Sequence, residues 1–324
     1  MTGQKTRRGF LLAAGASAIT GVAGVGGLTG CGSGTIDSAL VPKRLIAFGD
    51  GFSDVGQGGA RYTVNDGSVN NWTHQMAANY GLTLTSASAG GMSYAQGNAR
   101  VISNPDAAGN ANTRSIKQQI DSFLASNSFV SGDVVLINGG ISDIIAETMA
   151  VVAGTQTSAQ ALANVSATGV AFGNQIQRLV TAGAKNVLVT GVFNMSKSVW
   201  STSVGQATLL DAASSKFNEQ LLVTIVSLGA NVLYVDSAYY FNLIYGSPTA
   251  YNLLDATTVV CNSVDSANGI GIGTGKVSSK LCTTSTITTG LAYNSYLHAD
   301  SVYFTPAAHV LFGNYAYTRL RGRW

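Results

Sequence analysis

Residues 44–57 read RLIAFGDGFSDVGQ, an apolar strand that runs into an acidic turn with Asp50 and Asp54 on either side of Gly51. A turn at the carboxyl end of a strand is where an α/β enzyme presents a nucleophile. Gly51, at the tip, has no side chain to attack with. The next hydroxyl is Ser53, two positions on. In a short turn that shift moves an oxygen several Å, too far where a displacement on the order of 1 Å already matters. Ser53 is therefore expected to bond locally within the turn. Ser142 beside Asp143 is a second hydroxyl, and Asp300 with Tyr303 forms a second acidic group near the C-terminus. Three histidines complete the inventory. His74 falls in a predicted helix and reads as structural. His298 precedes Asp300 by two residues, close to an acid but in reversed order. His309 reads as a helix-start contact. A hydroxyl, an imidazole and a carboxylate held together are the parts of nucleophilic ester hydrolysis.

The elements that must position these residues alternate. Strands are predicted at 44–48, 82–88 (LTLTSAS), 133–139, 186–192 and 231–236. Between them, 70–81, 115–126, 158–182 and 209–229 are helical in character, and a last helix starts near Pro306, a favoured first-turn residue. Ile116, Ile120, Phe123 and Leu124 share one helical face. Strands alternating with helices predict an α/β fold, a three-layer α/β/α sandwich on a parallel, flavodoxin-like sheet. No repeat and no strong linker interrupts 44–324, which reads as a single domain. The polar stretch 250–297 reads as an irregular excursion.

Four stretches, in order, resemble the blocks of the GDSL, or SGNH, hydrolase family. FGDGFSDVG is similar to its first block, usually FGDSLSD. SYAQGNAR (93–100) resembles the second, which carries an oxyanion glycine, here Gly97. NGGISDI (138–144) resembles the third, usually GxND, and DSVYFTPAAH (300–309) the last, usually DxxHxT. The strand GAKNVLVTGVFN and the helix KFNEQL fit the same order. The resemblance runs from about residue 44 to the C-terminus and is nearest to secreted bacterial lipases and esterases. It implies the SGNH fold, action on carboxylic ester bonds, no cofactor and no metal.

Carried over position by position, the family chemistry fails. The nucleophile position is Gly51, the base position is Tyr303 and the oxyanion asparagine position is Ser142. A phenol of pKa near 10 is a poor proton acceptor at neutral pH. Asp300, Gly97 and the Gly51 N–H remain, with Asp50, Asp54 and Asp143 as turn scaffold. Losing either Ser or His from such a triad costs on the order of 10⁶ in turnover. The expectation is a catalytically impaired or inactive member, a pseudoenzyme with a ligand-binding or envelope role. Its ligand would be a lipid, an acyl ester or a saccharide. The other expectation is an active esterase through a rearranged site at Ser53, Ser142 and His298. Tyr303 is read as filling the pocket beside Asp300, or as an aromatic platform together with Phe304.

The first thirty residues read as an address. TRRGFLLAAGASAITGVAGVGGLTGC carries paired arginines and a short Gly/Ala-rich apolar run, and resembles a twin-arginine export signal ending in a lipoprotein-processing box. Residues 1–30 are read as the signal peptide, and 31–43 as a lipidated Cys31 with a flexible tether. That predicts a membrane-anchored lipoprotein of the bacterial cell envelope, periplasmic or at the outer membrane. Beyond this segment, 15 of the 18 basic residues remain against 15 acidic ones, so nothing marks a nucleic-acid surface. Hydrophobic residues make up 46% and charged ones 10%, which excludes disorder. In an exported chain Cys261 and Cys282 are expected to bridge. A metal site on two cysteines without a nearby histidine pair is not expected.

Overall fold

Five residues, one arginine and then four buried apolar side chains, start the sheet. In a computed structural model that describes residues 38–324 except Asn70, Arg44–Phe48 forms β1 and pairs in parallel with β2, Asp133–Asn138. An ion pair fixes that register: Arg44 Nη2 lies 2.6 Å from Asp133 Oδ2, and Arg44 Nε donates to Asp133 Oδ1 at 2.9 Å. β3 (Val187–Thr190) and β4 (Val232–Tyr234) extend the sheet, all parallel, in the order β1-β2-β3-β4. Every residue of β2 and β3 is buried, so both faces of the sheet are covered. The fold is mixed α/β, as expected.

The helices fall into two packed groups. α1 (Trp72–Asn79) packs against α8 (Pro306–Arg321). α2 (Ile116–Ser126), α3 (Ile141–Val152), α4 (Ser158–Thr181) and α6 (Ala207–Ile225) form the other. Capping boxes start α2, through Ser115 and Gln118, and α4, through Thr157 and Gln160. α5 (Val199–Val204) and α7 (Ser237–Gly246) are shorter connections. α3 starts directly after β2 because Gly140, at φ +106°, turns the chain as few other residues can.

Two sequence expectations need correction. Residues 82–88 form no strand. The outer edge of β1 is taken instead by the segment around Ser93, with Ala47 N donating to Met92 O and Tyr94 N to Ala47 O. Ser86 reaches the sheet only through a bridge to Ser93. Residues 250–297 are more ordered than expected. β5 (Asp255–Val259) pairs in parallel with β8 (Tyr296–His298), and β6 (Val264–Asp265) with β7 (Lys276–Val277) forms a small antiparallel pair. Cys261 and Cys282 are bonded, with their Cα atoms 5.8 Å apart. They sit in a small core of their own with Val64, Val260 and Ala299. Among the described residues no helix is long and apolar enough to cross a membrane. The expected signal peptide, and the expected lipid site and tether from Cys31 to residue 37, lie outside the described residues.

Cys261 and Cys282 are 21 residues apart. Replacing both with alanine frees a loop in the unfolded chain, and stability is expected to fall by about 3 kcal/mol. Urea unfolding under oxidising conditions measures it. An unchanged midpoint would mean that the bridge does not restrict the unfolded chain.

Candidate functional site

The turn after β1 is held from several directions. Gln119 on α2 donates through Nε2 to Gly49 O and accepts from Gly49 N, each at 2.9 Å. Asp50 Oδ1 accepts from Phe52 N at 3.0 Å and from Asn138 Nδ2, at the end of β2, at 2.7 Å. Gln119 and Asn138 are fully buried and were not among the residues singled out in the sequence. The signal for Gln119 was there: a polar residue one step from the apolar face of a helix next to the turn.

Position 51 is occupied by another residue's ring. A Cβ built on Gly51 would lie 2.7 Å from the Tyr303 hydroxyl and 2.8 Å from the ring carbon that bears it. Real Cβ atoms do not approach so closely, and Tyr303 is fully buried with nowhere to go. A second ring backs it. Tyr62 lies 5.1 Å from Tyr303, centroid to centroid, and presses on Gly97 so closely that no Cβ fits there. The oxyanion expectation for Gly97 is met by a different bond: its N–H donates to Asp54 Oδ2 at 2.8 Å. Asp54 Oδ1 takes Gly56 N and Gln57 N. The Asp54 carboxylate thus ties the first block to the second.

The remaining candidates are also engaged in structure. Asp143 Oδ2 accepts from Val101 N at 2.9 Å, and Arg100 bridges Asp143 and Glu147 on α3. Asp300 Oδ1 accepts from Val302 N and Tyr303 N, and its Oδ2 from Ser279 N at 2.7 Å, so it organises a loop and meets no imidazole. Ser142 is fully buried at the start of α3. Its hydroxyl, Tyr303 OH, Asp50 Oδ2 and Asn138 Oδ1 all lack a hydrogen-bond partner of ordinary geometry.

Burial decides the electrostatics. Desolvation pushes Asp50, Asp54 and Asp143 up to about 6, against the hydrogen bonds that favour their ionised forms. Burial likewise raises Asp300. It drives the Tyr303 phenol well above its ordinary value, helped by the neighbouring Asp50, Tyr62 and Asp300 and opposed only by Ser142. Tyr303 stays protonated and cannot accept a proton.

The rearranged triad is not assembled. Ser53 Oγ accepts from Trp72 Nε1 at 3.0 Å, so its side chain ties the turn to α1 and does not bond within the turn as expected. His298 Nε2 meets Tyr245 OH at 2.8 Å, its ring stacks on Phe304, and burial lowers it to about 4. His309 lies against Phe52 and is lowered to about 3 by burial. His74 bonds Leu84 O and is lowered to about 4, mainly by burial. Phe304 is no platform: it is fully buried, stacked on Phe241 at 4.1 Å and packed on Phe193 at 4.8 Å. Among the described residues no cluster of His, Cys, Asp or Glu could hold a metal.

Open space begins on the far side of Tyr62. A polar cleft of about 420 Å³ is lined by Asp54, Tyr62, Gln96, Asn98, Asp265 and Lys280, among others. Asn98 is enclosed, and its Oδ1 has no partner. Of the candidate residues, Asp54 and Gly97 reach this cleft and Tyr303 does not. The chain matches no protein-family model, and no curated protein matches it in sequence.

Gly51→Ser is expected to destabilise by about 1–3 kcal/mol, the range for overpacking a tight core. In a Tyr303→Ala background that cost should shrink, giving a coupling of about 0.5–3 kcal/mol. A double-mutant cycle by urea unfolding reads it, and additive effects would show that the two residues do not share one volume. Asp50 gives a pH test. Its folded pKa lies above its unfolded value, so its contribution to stability falls as pH rises from about 4 to about 6. Asp50→Asn cannot titrate. Relative to wild type, its stability should therefore improve over that window, by on the order of 3 kcal/mol. A difference that is flat with pH, or that falls, would mean the donors keep Asp50 ionised.

Proposed function

We propose that the chain is an exported, lipid-anchored protein of the GDSL/SGNH ester-hydrolase type, on a flavodoxin-like α/β/α sandwich, whose hydrolytic centre is closed. It works by binding a ligand in the cell envelope. One observation carries this reading: the Tyr303 phenol occupies the volume that any nucleophilic side chain at position 51 would need. The order of the four sequence blocks supports the hydrolase ancestry. The Gly97 N–H spent on Asp54 and the phenol held protonated support the loss of chemistry. The polar cleft beside Tyr62, with its amides, carboxylates and lysine, favours a hydroxyl-bearing ligand such as a saccharide. The alternative, an active esterase through Ser53, Ser142 and His298, draws no support: all three side chains are buried, Ser53 bonds Trp72 and His298 bonds Tyr245.

The test is direct. Purified protein incubated with a short-chain nitrophenyl ester should show no turnover, and a fluorophosphonate should label no serine. Stoichiometric labelling with turnover would sink the reading. A variant that combines Gly51→Ser, Ser142→Asn and Tyr303→His, with Tyr62→Ala to uncover Gly97, should gain measurable labelling at position 51. A folded variant that stays inert would count against a hydrolase frame beneath the plug.

A further inference from the structure

A second concavity lies elsewhere and is of the opposite character. α3, α5, β5 and the segment leading to β7 enclose a groove of about 510 Å³. Its walls include Met149 and Val152 from α3, Trp200 and Val204 from α5, Val259 from β5 and Val277 from β7. Met149, Val204, Val259 and Val277 are only half-buried, and Val152 is 46% exposed. Together they leave an aliphatic lining partly open to water, which burial against another apolar group would relieve. It shares no lining residue with the polar cleft.

The charge pattern narrows the occupant. Lys276 is the one charged residue that lines the groove among the described residues. It takes part in none of the ion pairs among them. Its cross-strand neighbour Asp265 instead accepts from Ala267 N. A narrow aliphatic wall with an adaptable methionine and a single rim ammonium suits one alkyl chain with one anionic head. The volume is that of a small-molecule site.

We propose that this groove binds the hydrocarbon tail of a long-chain carboxylate, a free fatty acid, with the carboxylate held at Lys276. The site is independent of position 51 and does not rest on the hydrolase reading. Binding requires no bond to form or break.

The experiment titrates the full chain with a series of saturated fatty acids from octanoate to palmitate, below their micelle concentrations, by calorimetry. One acid should bind per chain. Each added methylene should tighten binding about fourfold until the groove is full. A spin-labelled stearate should quench the tryptophan emission, and Trp200→Phe should remove that quenching while calorimetric binding persists. The methyl ester should bind about two- to fivefold more weakly than the acid, and Lys276→Ala should erase that preference. Val204→Asp should weaken binding at least about tenfold, a change worth 1.4 kcal/mol. Val152→Asp lies at an exposed site and serves if Val204→Asp does not fold. Affinity that ignores chain length, emission that is not quenched, or binding that survives Val152→Asp overturns the proposal. So does self-association that Val152→Asp abolishes in a chain that binds no fatty acid, because a second copy would then fill the groove.

Discussion

One volume cannot hold two side chains. The space above Gly51 belongs to the Tyr303 ring, and the rest of the site follows from that exclusion. The phenol is fully buried, with the Tyr62 ring packed beside it. With water shut out, the carboxylates beneath it become costly to ionise, so burial dominates the Asp50 and Asp143 equilibria despite several donors. Four polar atoms around the ring lack a hydrogen-bond partner of ordinary geometry, and such atoms are expensive to bury.

The scaffold around that point is rigid for reasons unrelated to chemistry. Gln119 clamps Gly49, Asn138 holds Asp50, Asp54 holds Gly97, and Arg100 joins the second block to α3. Each bond links segments far apart in the chain, so the turn would keep its shape whatever stood at its tip. The acidic residues of this turn are structural ties between loops, and they need no side chain at its tip.

Much of this was legible from residues alone. The strands at β1 to β4 and the helices α1, α2, α4, α6 and α8 stand out by apolar spacing and, for α8, by Pro306 at its start. What escaped notice is instructive. β-propensity in LTLTSAS was overridden because residues 92–94 reach the edge of β1 first, a competition that only the folded chain decides. α3 carries Ile141, Ile144, Ile145 and Thr148 at helical spacing, yet a motif reading of NGGISDI drew attention to its first residues only. Asn138 could not be found from type or spacing, since its role depends on meeting Asp50 across the fold.

The mutual exclusion at position 51 also constrains how the two states of such a site can interconvert. With Tyr303 in place, a serine at position 51 would clash with a ring that cannot move. With a histidine at 303 and glycine at 51, the smaller imidazole would leave a void, at about 24 cal/mol for each Å³ left unfilled. Within this fold each single change, Gly51→Ser or Tyr303→His, is therefore costly. Asp300 fits both conditions, because its oxygens are satisfied by backbone N–H groups of Val302, Tyr303 and Ser279 whether or not an imidazole stands beside it. A carboxylate that needs no catalytic partner to be stable is one that a closed site can keep.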